Sequence, residues 1–214
     1  MGNPLNYSLE LPQRCLRLID EGWDRVSKIY PEDNDRLGPM TSTFLLSMSM
    51  PIINIPIERI DRRRDKPETE YANDRPLNKM AALEIDKVIR KGLLRVAPFF
   101  EHGAWRLYTA EIPPPINIAR GLPERIAHAL NDDKSVKAAA DMPTSQWCSI
   151  LRNALAHGGI AYLDEKGHSS WGTPVKMYAF VSGRYDRTAQ DDRRSLIGVN
   201  FLRISETDYR ELSS

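Results

Sequence analysis

The feature that most constrains the fold is the stretch from Met40 to Ile60, long and largely apolar, with Glu58 and Arg59 near its end. A stretch of this kind has to be covered by lipid or by protein. Ser42, Thr43, Ser47, Ser49 and Asn54, together with Pro51 and Pro56, make it too polar and too interrupted for a membrane span. It is therefore expected to be a buried central helix, with no membrane partner. Thr41 can cap its first turn, and the two prolines should bend it or break its hydrogen-bond ladder. At 214 residues the chain can build one core around such a helix and is too short for two comfortable domains, so residues 1–214 are read as a single domain.

Other helices follow from apolar spacing. Leu16, Ile19, Trp23 and Val26 recur at helical intervals within Asn6 to Tyr30. Met80, Leu83, Ile85, Val88 and Ile89 give an apolar side to Leu77–Lys91, which Gly92 stops. Pro123 opens a short helix to about Leu130, and Thr144 or Ser145 caps a last core helix that carries Trp147, Ile150, Leu151 and Leu155. Between these, Val96 to Gly121 contains Pro98, Gly103 and Pro113 to Pro115, and reads as an irregular insertion, with its core at 98–121. Val175 to Tyr185 and Leu196 to Ile204, rich in Val, Ile, Tyr and Phe, read as a β-hairpin (175–204) followed by a helix start at Ser205. The expected class is mainly α: a helical bundle with a β-hairpin appended after its last core helix.

Charge narrows the partners. The formal net charge is +1, so no strong global field draws the chain to polyanions, and nucleic acid would have to meet a local patch. Arg62 to Arg64 are flanked by Asp61 and Asp65 and read as a solvated face. Arg184, Arg187, Arg193 and Arg194 of the hairpin connection could track an RNA backbone, but Asp186, Asp191 and Asp192 between them favour a solvated loop. The two cysteines, Cys15 and Cys148, are far apart and suit reduced thiols. Met1 to Leu11 has no basic region followed by an apolar stretch, so no secretory signal is expected and the localisation is read as cytoplasmic.

The stretch that carries chemistry is Leu151-Arg152-Asn153-Ala154-Leu155-Ala156-His157-Gly158-Gly159. On a helix Asn153 and His157, four apart, share a face. Arg152 and His157 diverge by about 140°, which a long Arg side chain can bridge. Gly158 ends the helix and leaves His157 in its last turn, where the helix dipole favours the imidazolium and Arg152 opposes it. A histidine between such effects suits acid–base work, arginine grips phosphate oxygens, and asparagine can orient the imidazole or donate to the phosphate. Arg95 and His102 repeat the spacing across Pro98, where no single helix would hold them in register.

Arg152-Asn153-Ala154-Leu155-Ala156-His157-Gly158 resembles the signature of the HEPN superfamily, α-helical proteins with Arg, a polar residue and, after four to six positions, His near a helix end. Phe44 to Ile60, ending Pro56-Ile57-Glu58-Arg59-Ile60, resembles the second helix of a plasmid-borne HEPN family, and the hairpin after the motif fits the same group. The resemblance covers roughly residues 5 to 210 and implies a HEPN-like bundle with metal-independent endoribonuclease activity, as in a toxin or defence effector. It further implies an RNA substrate and a homodimer, with two motifs facing each other across a two-fold interface. His157 would take the ribose 2′-OH proton or protonate the leaving 5′-oxygen, Arg152 would stabilise charge on the phosphate, and Asn153 would orient His157. No cofactor and no metal are implied, and His102, His128, His157 and His168 show no ligand spacing. An antitoxin or sensor protein is a further implied partner, with one departure. HEPN toxins neutralised by a nucleotidyltransferase carry a modified Tyr two positions beyond the His, and here that position is Gly159, with Tyr162 the nearest tyrosine.

Alternatives stand beside each of these. Arg152 and His157 can be a surface arginine and a capping histidine of a structural helix. Glu58 either belongs with Arg59 to a structural ion-pair network or holds Arg152 in place. Cys148, nine residues before His157, reads as packing beside Trp147 and Ile150 rather than as a nucleophile. The whole chain can be a catalytically inactive module that binds RNA or a nucleotide, or a partner-docking helical protein with a coincidental motif.

Overall fold

A computed structural model describes residues 5–31, 38–60, 74–111, 117–185 and 195–212. Among these residues the chain forms α1 (Tyr7–Val26), α2 (Thr41–Arg59), α3 (Lys79–Lys91), β1 (Arg106–Glu111), α4 (Glu124–Asn131), α5 (Asp133–Asp141), α6 (Thr144–His157), β2 (Ile160–Leu163), β3 (Met177–Tyr185), β4 (Leu196–Ser205) and α7 (Glu206–Glu211). The strands join in one antiparallel sheet of order β1-β4-β3-β2. The architecture is therefore mixed α and β, and the mainly helical HEPN-like bundle with one appended hairpin is incorrect. The expected hairpin exists as β3 and β4, but it forms the middle of the sheet, with β1 and β2 as its edges. β1 also lies inside 98–121, so that stretch is not wholly irregular. The run at Arg62 to Arg64 and the hairpin arginines Arg187, Arg193 and Arg194 fall outside the described residues.

Strand alternation gives the sheet two different faces. One presents Leu107, Leu202, Phe180, Tyr178 and Ile204 to the largest core, where they meet Leu45 and Leu46 of α2 and Ile150, Leu151, Ala154 and Leu155 of α6. The other presents Ala110 and Phe201 to Ile126 and Leu130 of α4. On that second face Arg106 and Arg203 sit opposite each other, and both donate to the Leu130 carbonyl at the end of α4. Burial, and then the charge of Arg106, lower the Arg203 guanidinium to about 10, and the carbonyl dipoles of a helix C-terminus are suitable company for it.

Helix α2 runs through both of its prolines, which removes the hydrogen bonds their nitrogens would have made to the carbonyls one turn earlier. It is less buried than its composition suggests. Thr41, Leu45, Leu46 and Ser49 are covered, whereas the turns from Pro51 to Ile57 are only partly so. Among the described residues no helix is long and apolar enough to cross a membrane. Both ends of α2 are tied by polar groups. At its start Tyr178, Ser42 and Thr41 donate to one oxygen of Glu206 at 2.7, 2.8 and 3.0 Å. At its end Arg59 makes two hydrogen bonds, of 2.9 and 2.7 Å, to Asp74, which also accepts from the backbone N–H and hydroxyl of Ser8 on α1. Cys15 and Cys148 are buried and not joined in a disulfide, and burial raises the Cys15 thiol.

Candidate functional site

Helix α6 is set by the chain on both sides of it. Its first turn is tied to the turn after α3, where the Thr144 hydroxyl donates to the Gly92 carbonyl at 3.1 Å instead of capping its own helix. Trp147, Cys148, Ile150, Leu151, Ala154 and Leu155 face the core. Gly158, at φ 68°, stops the helix in the left-handed conformation that glycine adopts without a Cβ penalty. The polar residues Gln146, Ser149, Arg152, Asn153 and His157 are left along the outer side.

Arg152 and Asn153 are held by a hydrogen-bonded chain that joins three elements. Glu58 of α2 pairs with the Arg152 guanidinium. Arg152 Nη1 donates to Asn153 Oδ1 at 3.0 Å, and Asn153 Nδ2 donates to the Ser182 hydroxyl of β3 at 3.2 Å. Glu58 is thus Arg152's partner, while its neighbour Arg59 goes to Asp74, and the two residues are not a pair with each other. Both ends of the Asn153 amide are engaged away from His157, so the expected contact between them is not made in this conformation. His157 stands exposed in the last turn, and no described residue hydrogen-bonds its imidazole. Ala156, also exposed, leaves the surface beside it low.

Gly159 explains the departure at the position where a tyrosine would lie. A Cβ there would come 2.4 Å from the Val181 carbonyl oxygen, because β3 passes directly against it and Val181 N–H bonds Gly159 O at 2.7 Å. No larger side chain fits, so a modification at that position has no counterpart in this chain. Tyr162, two residues into the edge strand, instead packs edge-on against Tyr178.

No family model, curated protein or solved structure matches the chain. The site therefore rests on its own geometry and on the residues quoted for the resemblance. The second Arg–His spacing does not form a site. Arg95 lies in a 3-10 turn (Leu94–Val96) and pairs with Asp141, while His102 lies in a separate turn beyond Pro98.

Two features were missed from sequence. Ser182 anchors Asn153, and a serine in an otherwise apolar strand facing the core was the available signal. The second is a surface cavity of about 220 Å³ bordered by Phe99, Glu101, Asp208, Glu211 and Leu212, whose three carboxylates lie within 4.8 Å of one another. It shares no residue with the α6 site, and its acids come from segments too far apart in sequence to be grouped by spacing. The α6 site itself is open at the surface, a shape suited to a polymer rather than to an enclosed small molecule.

Proposed function

We propose that the chain is an endoribonuclease that cleaves RNA at the C-terminal end of α6 without a metal ion. The observation that carries this reading is the combination of an anchored Arg152 with an exposed His157, one helical turn beyond Asn153, whose imidazole has no hydrogen-bond partner among the described residues. An arginine fixed on two sides offers its remaining N–H groups to a phosphate at little entropic cost. A histidine at the surface can exchange protons with substrate and solvent. In the reaction His157 accepts the ribose 2′-OH proton as that oxygen attacks phosphorus, or returns a proton to the leaving 5′-oxygen. The P–O5′ bond breaks, and the products are a 2′,3′-cyclic phosphate and a 5′-OH. Arg152 offsets the negative charge that gathers on the phosphate. Glu58 positions Arg152, and Asn153 links it to β3.

The resemblance to the HEPN motif supports this reading at the level of the site alone. On the same basis the working unit is a homodimer, in which two open sites meet and supply two imidazoles, one to remove and one to donate a proton. A toxin or defence role in the cytoplasm, with an antitoxin or sensor as partner, extends the proposal.

The test is cleavage of a mixed pool of RNAs in excess EDTA by wild type and His157→Ala, with the product ends identified. Cyclic-phosphate ends that disappear in the variant are expected. Intact RNA with both proteins would instead favour an inactive binding module.

A further inference from the structure

The register of the sheet extends the α6 site along β3. Thr109, Asn200 and Ser182 are cross-strand partners, and Asn200 accepts from Thr109 at 2.9 Å and Gln146 of α6 at 3.5 Å. They form a polar row on the face that α6 covers, one step beyond the apolar row of Leu107, Leu202 and Phe180. The next row on that face is Glu111, Gly198 and Arg184. β2 pairs only as far as Phe180, so β3 from Ser182 to Arg184 projects past it, beside the end of α6. Arg184 therefore lies on the same side of the strand as Ser182, the anchor of Asn153, about 6.6 Å farther along.

Arg184 is exposed, and no described residue pairs with it. Its aliphatic stem crosses Gly198: a Cβ on that glycine would lie 3.9 Å from Arg184 Cδ. Gly198 stands between Arg184 and Glu111 in the row, and among the described residues no ion pair joins the two. An exposed guanidinium with no described partner thus lies one step along β3 from Ser182, which is linked through Asn153 to the anchored Arg152, and beside a glycine that adds no side chain to the row.

Resting on the ribonuclease reading, we propose that Arg184 is a substrate-binding residue that grips the RNA phosphate next to the scissile one. It makes no contact with the reacting atoms, so its removal weakens binding more than chemistry.

The experiment pairs cleavage kinetics with binding of a fluorescein-labelled, mixed-sequence single-stranded oligoribonucleotide to the full-length His157→Ala chain. In the wild-type background Arg184→Gln is expected to raise KM about tenfold, with kcat changed by no more than about twofold, and the binding comparison is made with and without Arg184→Gln in the His157→Ala background. The slope of log binding constant against log salt should become shallower by about 0.7, the loss of one phosphate contact. Arg184→Lys should keep the salt slope while losing part of the affinity. Unchanged KM and slope in Arg184→Gln, beside a wild type that binds and cuts RNA, would overturn the role of Arg184 alone. A fall in kcat at constant KM would overturn it too, by placing Arg184 on the scissile phosphate. If wild type cuts no RNA and His157→Ala binds none, the ribonuclease reading falls and Arg184 falls with it.

Discussion

The two ends of helix α2 use polar groups in opposite ways. At its start, Thr41, Ser42 and Tyr178 converge on Glu206 where the sheet meets the core, and burial, with Glu206 alongside, holds the Tyr178 hydroxyl far above its ordinary range. At its end, Glu58 reaches an arginine at the surface, next to an exposed histidine with no described partner. The first cluster satisfies every donor it contains and serves the fold. The second leaves donors and an imidazole open to a ligand. Arg59 shows that this difference lies in geometry rather than composition, since one residue beyond Glu58 the chain makes a closed, two-bond pair with Asp74. Polar groups that bond only one another stabilise, whereas a site requires that something be left over.

The comparison can be broken from either side. Arg152→Ala should lower kcat/KM about 10³-fold, about 4 kcal/mol in the barrier, while a melt shows a stability change below about 1 kcal/mol. An unfolded variant would place Arg152 with the structural cluster instead. Glu206→Ala should do the reverse. Removing the acceptor of three hydroxyls is expected to cost about 3 kcal/mol in denaturant unfolding and leave the activity of the folded fraction intact.

Asp74→Asn sharpens the same division, at about 2 kcal/mol. The hydrogen bond from Arg59, with those from Ser8, holds the Asp74 carboxyl below its ordinary range against the opposing effect of burial. A carboxyl lowered by folding adds stability that is present above its unfolded pKa of about 3.9 and is lost as pH falls through the folded value. Wild type should therefore lose stability on acidification below about pH 4, and the Asn variant should show a flatter acid limb in chemical denaturation. The smallest effect expected is that of Glu58→Gln, about tenfold in kcat/KM and little in stability, since the pair is half exposed. A stability loss as large as that of Asp74→Asn would erase the distinction between the closed clusters and the open one.

Much of this was legible in the sequence, because helical periodicity survives inspection one residue at a time. α1, α3 and α6 follow from their apolar residues and from stops at Gly92 and Gly158, α2 from its long apolar stretch, α4 from Pro123 at its start, and β3 and β4 from their β-branched and aromatic content. β1 was hidden by Gly103 before it and the prolines after it, although Leu107 and Thr109 alternate with Tyr108 as a half-buried strand requires. β2, only four residues long, carries too little pattern to separate from the loop after Gly159. α5 offers Ala and charge in place of an apolar stripe. Once two edge strands are missed, a four-stranded sheet reads as a hairpin, and a mixed fold reads as a bundle. The site divided in the same manner. Arg152, Asn153 and His157 are one short motif on one helix, whereas Ser182 and Arg184 reach it only through strand register, which is a property of the folded sheet.

The most direct measurement is made on one preparation each of wild type and His157→Ala, by thermal melting and by RNA cleavage in excess EDTA. With His157 exposed and without a described partner, the two melts should agree to within about 0.5 kcal/mol while cleavage falls at least about 10²-fold. Equal cleavage by the two proteins would contradict the assignment of His157 and, with it, the claim that the open end of α6 is the working site.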